Sequence, residues 1–140
     1  MKYLKTMIKS SVKYALIFSV LMLVSYNLHS FNLDNRNVIL PFILINMYWF
    51  HAILSFIICL VFEVFSRQQK FHDQLGFIYL GALVFKIILF CIVFNKVLFV
   101  EESFTKGQSI SLLIPLAIFL VIEVYFITQI LNRKHSDRIK

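Results

Sequence analysis

The sequence is poor in residues that turn a chain. It has 3 Gly and 2 Pro in 140 residues. Sandwiches and barrels need many turns, so an all-β fold is excluded and an all-α one is expected. Charge is also scarce: 15% of residues are charged, where soluble domains carry about 25%. The 2 cysteines, Cys59 and Cys91, each sit inside an apolar run. Their implied depths differ by more than the roughly 7 Å Cα separation a disulfide tolerates, so both read as reduced packing residues. No Cys or His spacing fits zinc. There is no Gly-rich phosphate loop, nucleophile elbow, paired His on a helix face or carboxylate pair in a soluble cleft. No inverted repeat of the transporter kind is visible. These absences predict a chain that is not an enzyme and needs no metal or cofactor.

What the chain has is apolar bulk. Hydrophobic residues make up 60%, with 16 Phe and a mean hydropathy of +0.83. A bilayer-spanning helix needs about 20 mainly apolar residues. Four segments qualify: Val12–Leu28, Pro41–Phe65, Leu75–Leu98 and Ile110–Leu131. Together they predict a single domain, an integral membrane four-helix bundle. The first segment follows a basic start and could mimic a signal peptide. The region Ser25–Phe31 lacks the small-x-small cleavage pattern, so a permanent helix is expected. A polar hinge is expected over Ser30–Asn37. The second segment is longer than it needs to be. Val38–Ile45 is open to lying along the interface, with the span starting near Asn46 and Tyr48 and Trp49 forming an aromatic belt. A loop is expected over Ser66–Gln74. Gly107 is read as the turn residue of the Phe99–Ser109 loop, and Asn132–Lys140 as a basic polar tail. Small-xxx-small motifs are nearly absent, which predicts loose contacts between helices.

Lys and Arg placement orients the bundle. Of the 14 basic residues, ten fall on one side: Lys2, Lys5, Lys9, Lys13, Arg67, Lys70, Arg133, Lys134, Arg138 and Lys140. Arg36, Lys96 and Lys106 fall on the other, and Lys86 lies within a span. The expected location is a bacterial cytoplasmic membrane with both termini cytoplasmic. The net charge of +7 then suits anionic headgroups. Nucleic acid is not an expected partner, because no basic stripe interleaves with exposed aromatics. The bilayer is, and self-association is left open.

Ionisable residues inside a span each need a reason. Lys86 lies about eleven residues, and Glu123 about eight, from the same membrane face, at depths of roughly 16 and 12 Å. Consecutive spans usually pack as neighbours, so an interhelical Lys86–Glu123 pair is expected. It either locks two helices in register or meets a partner or ion. His51, Ser55, Cys59 and Glu63 recur every four residues and form one stripe that should face protein. That stripe is a bundle seam or a proton or cation path. In a seam His51 would be a hydrogen-bonded packing residue. Glu63 should pair with Arg67 one turn later.

The second half resembles the ATP synthase protein I family. The resemblance is carried by Ala82-Leu83-Val84-Phe85-Lys86-Ile87-Ile88-Leu89, then Leu113-Ile114-Pro115-Leu116, then the finish Gln129-Ile130-Leu131-Asn132-Arg133-Lys134. It spans about the last half of the chain; the first half agrees in architecture. The family's acid before Phe-Lys is replaced here by Leu83, and Glu123 is the carboxylate able to stand in for it. The resemblance implies an accessory or assembly factor for the ring of ATP synthase rotor subunits. It also implies a possible part in magnesium supply, for which Glu63 and Glu123 are the candidate ligands. A small cation or proton transporter using His51, Glu63, Lys86 and Glu123 is the alternative.

Overall fold

A computed structural model describes the backbone of residues 1–40, 43–99 and 105–139, and of these not the side chains of 72 and 134–139. Among the described residues there are five α-helices, one 3-10 helix and no strand. The helices are α1 (Lys2–Arg36), α2 (Leu44–Ser66), α3 (Leu75–Val93), α4 (Asn95–Phe99) and α5 (Lys106–Ile139), with the 3-10 helix at Gln69–Gln74 before α3. Four of them, α1, α2, α3 and α5, are long and apolar enough to cross a bilayer. The chain is a multi-pass membrane bundle, as its composition requires.

The helix ends differ from those hydropathy marks. α1 runs through the expected hinge: Ser30–Arg36 is helical, and the turn comes at Asn37, in the left-handed region at φ 53°. Asn37 N–H donates to Asp34 O and Val38 N–H to Leu33 O, the paired bonds of a Schellman cap. Asn tolerates this conformation better than other residues bearing a Cβ. A 35-residue helix is ~52 Å long, well beyond the ~30 Å hydrocarbon core, so part of it projects past the apolar layer. The expected start of the second span at Pro41 lies outside the described residues; α2 itself begins at Leu44, after the extended Ile43. The loop before α3 is largely the 3-10 helix. α3 ends at Val93, five residues short of the expected end of that span, and α4 follows a break at Phe94.

α5 starts at Lys106 instead of Ile110, on a capping box. Thr105 N–H donates to Gln108 Oε1, and Gln108 N–H to Thr105 Oγ1. Gly107 therefore lies in the first turn of a helix and is not a loop turn; a Cβ there would meet Val38 Cγ2 at 3.4 Å. Pro115 falls in the third turn. The expected polar tail is helical to Ile139. Polar sequence past the hydrocarbon edge ends a span without ending a helix, which is why hydropathy misplaced these boundaries.

α2 is the hub. α1, α3 and α5 all pack on it. Its buried residues include Met47, Tyr48, His51, Ala52, Ser55, Ile58, Cys59, Phe62 and Glu63, a helical period that carries the predicted stripe inward. Tyr48 is fully buried and so is not a belt residue, while Trp49 is half exposed. α3 buries just Leu75, Lys86 and Phe90, so most of its surface faces outward. α1 and α5 meet through rings: Tyr14–Phe126 at 5.0 Å, Phe18–Phe126 at 5.6 Å and Phe18–Phe119 at 6.2 Å. Lacking small residues, these helices are held apart by aromatic spacers. Cys59 and Cys91 are free thiols, as expected.

Candidate functional site

The polar side chains within the bundle gather at three levels. The middle level joins three helices. Lys86 Nζ on α3 donates to Glu123 Oε2 on α5 at 2.7 Å and to Ser55 Oγ on α2 at 2.7 Å. The Lys86 and Glu123 side chains are 1% and 0% exposed. The expected pair thus forms, but not as a private hairpin clasp: α3 and α5 both pack chiefly on α2, and Ser55 completes the contact. Lys86 is the one charged residue among the three buried on α3, and its two hydrogen bonds anchor that helix to α2 and α5. Glu123 Oε1 and Tyr79 Oη are also buried here, close to one another.

One turn before Ser55, His51 is completely buried and neither ring nitrogen has a partner. It is not the hydrogen-bonded histidine that the stripe predicts. Its ring lies among other rings, 5.3 Å from Phe90 and 6.5 Å from Phe119, the latter stacked at 20°. Phe50 stands edge-on at 5.3 Å. Apolar neighbours on α3 and α5 offer shape but no hydrogen-bonding atom. A buried, unsatisfied polar group costs about 1–3 kcal/mol, so the position is held against that cost.

The second level lies where α1 begins and α2 and α5 run out. Arg67 donates to Glu63 Oε1 at 2.9 Å, the expected one-turn pair. Glu63 Oε2 also accepts from Tyr14 at 2.9 Å and from Arg133 at 3.1 Å. The Tyr3 ring lies beneath the Arg67 guanidinium at 4.9 Å. One carboxylate therefore ties together α1, α2 and α5. This geometry also puts the start of α1 and the end of α5 on one side of the bundle.

The third level is at the opposite end. His29 Nδ1 and Tyr48 Oη are 2.9 Å apart, and Tyr48 Oη reaches Ser25 O at 3.4 Å. His29 Nε2 is buried without a partner. Ser25, His29, Asn32, Arg36 and Ser111 help line a cavity of about 410 Å³ there.

All four predicted site residues, His51, Glu63, Lys86 and Glu123, are buried, and the structure brings Lys86 and Glu123 into contact. Glu63 belongs to a separate cluster. None of Tyr14, His29, Tyr48, Tyr79 and Arg133 was expected at a polar site: Tyr48 was read as a belt residue and Arg133 as part of the basic finish. Each depends on contacts distant in the chain, 49 residues for Tyr14 and 70 for Arg133 to Glu63. Among the described residues, no three His, Cys, Asp or Glu side chains group as a metal site.

Residues 7–134 match a family described as a family of unknown function (DUF6168). The chain belongs to this family. The DUF6168 match runs across all three polar levels, from Tyr14 to Arg133, and across the residues that carry the resemblance of the second half. No curated protein and no solved structure matches the chain.

Proposed function

We propose that this chain is a small, non-enzymatic accessory subunit that docks on a larger complex of the membrane it spans. The observation that carries this reading is the pairing of its buried charges with one another. Lys86 meets Glu123 and Ser55, and Glu63 meets Arg67, Arg133 and Tyr14. The polar groups lock the helices in register and leave the outside to apolar residues such as Phe77, Phe85 and Ile92 on α3. An interior that is closed electrostatically and an exterior that is apolar suit a scaffold for neighbouring helices. The likeness of α3 and α5 to ATP synthase protein I makes the rotor ring of an ATP synthase the candidate complex, with ring assembly as the role. The excess of basic residues at the end carrying both termini supports a bacterial cytoplasmic membrane with that end inside.

The test is recovery of partners. Tagged protein, crosslinked and solubilised in mild detergent, is expected to enrich rotor or stator subunits over an unrelated four-span protein. Equal recovery from both would sink the assignment.

One set of atoms favours a second reading, a small proton or magnesium pathway. The two unpartnered nitrogens of His51 lie between the two polar ends of the bundle, one turn from the buried Lys86, Glu123 and Tyr79 side chains. In reconstituted vesicles this reading expects ion flux that Glu123→Gln abolishes. Flux no greater than in empty vesicles rules it out.

A further inference from the structure

We propose that the cleft between α1 and α5, at the end of the bundle carrying both termini, binds the phosphate headgroup of an anionic phospholipid, with an acyl chain lying along the aliphatic side of α1 that leads away from the cleft. The cleft encloses about 540 Å³ and is lined by Ser10, Lys13, Tyr14, Gln129, Asn132 and Arg133. None of these is acidic, two are cations, and Ser10, Gln129 and Asn132 carry hydroxyl or amide groups that can donate to phosphate oxygens, while the Tyr14 hydroxyl is given to Glu63. Lys13, Arg67 and Arg133 lie at this level, against the carboxylate of Glu63. Glu63 is already committed to both arginines and to Tyr14. The cluster keeps a positive excess, and the Arg133 side chain remains 55% exposed. A basic pocket between transmembrane helices is the recognised setting for an anionic headgroup. Arg can also grip phosphate through two parallel bonds.

α1 supplies the place for a chain. Ser10, Tyr14, Ile17 and Leu21 follow one strip of α1 at helical spacing. Further along it, a cavity of about 420 Å³ is lined by Leu16, Ile17, Val20, Leu21 and Val24, all aliphatic. All five belong to α1, and Ile17 and Leu21 are its partly buried edge, packed against the core. Polar mouth and aliphatic trough together match a phospholipid and not a free anion.

Native mass spectrometry of the full, delipidated chain in detergent tests this, with phosphatidylglycerol and phosphatidylcholine of the same acyl chains as probes. Phosphatidylglycerol is expected to bind about tenfold more tightly. Lys13→Gln should cut that preference about fivefold, and Asn132→Glu, which puts an acid in the cleft, should abolish it. Lys5→Gln, a change at the same end but outside the cleft, should leave it intact. Glycerol phosphate, a headgroup without chains, should not compete at equal concentration. Equal binding of the two lipids overturns the proposal. So does a loss with Lys5→Gln matching that with Lys13→Gln, or effective competition by glycerol phosphate.

Discussion

Glu123→Leu alone is expected to lower the stability of the bundle in detergent by about 3–5 kcal/mol, the range for stranding one member of a buried ion pair. Lys86 would keep only Ser55 as a partner, in surroundings that expose 1% of its side chain. The double change Lys86→Met with Glu123→Leu should recover most of that loss, because apolar residues of similar volume often replace a buried pair at little cost. Reversible unfolding in mixed micelles, run as a double-mutant cycle, measures both. Magnitude decides the meaning. Ordinary hydrogen bonds between transmembrane helices average about 0.6 kcal/mol. A single-mutant loss that small would mean water or lipid headgroups already reach Lys86, and the anchor described for α3 would not exist.

Glu63→Ala carries the second largest expected effect, about 2 kcal/mol. A hydrogen bond to a charged group contributes about 1.5–3 kcal/mol, and Tyr14, which would lose such a bond, is 3% exposed. The two arginines add less. Arg67 and Arg133 side chains are 24% and 55% exposed, so solvent screens them. Arg133→Gln should therefore cost well under half as much as Glu63→Ala. The same micelle assay separates these outcomes. Equal losses for the two variants would place the stabilisation in the exposed ion pair and not in the buried Tyr14 bond.

The spans, the inward stripe on α2 and the Lys86–Glu123 pair were legible in the sequence for definite reasons. Hydropathy measures membrane thickness. A four-residue repeat marks one helix face. Two opposite charges at similar depth inside an apolar slab have few other partners. The helix ends were not legible, because Ser30–Arg36 and Asn132–Ile139 are polar yet helical. The full environment of Glu63 was not legible either. Arg67 is set by local spacing, whereas Tyr14 and Arg133 arrive from other helices whose rotation no periodic signal determines. Tyr48 was misread as an interfacial residue because an aromatic near a span end has two possible directions. Its bond to His29, 19 residues earlier, turns it inward.

The place of Lys86 in the chain has a bearing on biogenesis. Membrane proteins are made from the N-terminus, and α3 enters the bilayer before α5 has left the ribosome. During that interval the lysine near the middle of α3 has Ser55 on the already inserted α2, but its carboxylate has not yet reached the bilayer. Insertion of a lysine at a helix centre costs about 2.5–3.5 kcal/mol on the translocon scale. The rest of α3, an apolar window of mean hydropathy 2.5, must offset that charge unaided. Arrival of Glu123 then closes the circuit and draws the last helix onto α2. In the newborn chain, the buried salt bridge acts as a latch that only a completed protein can shut.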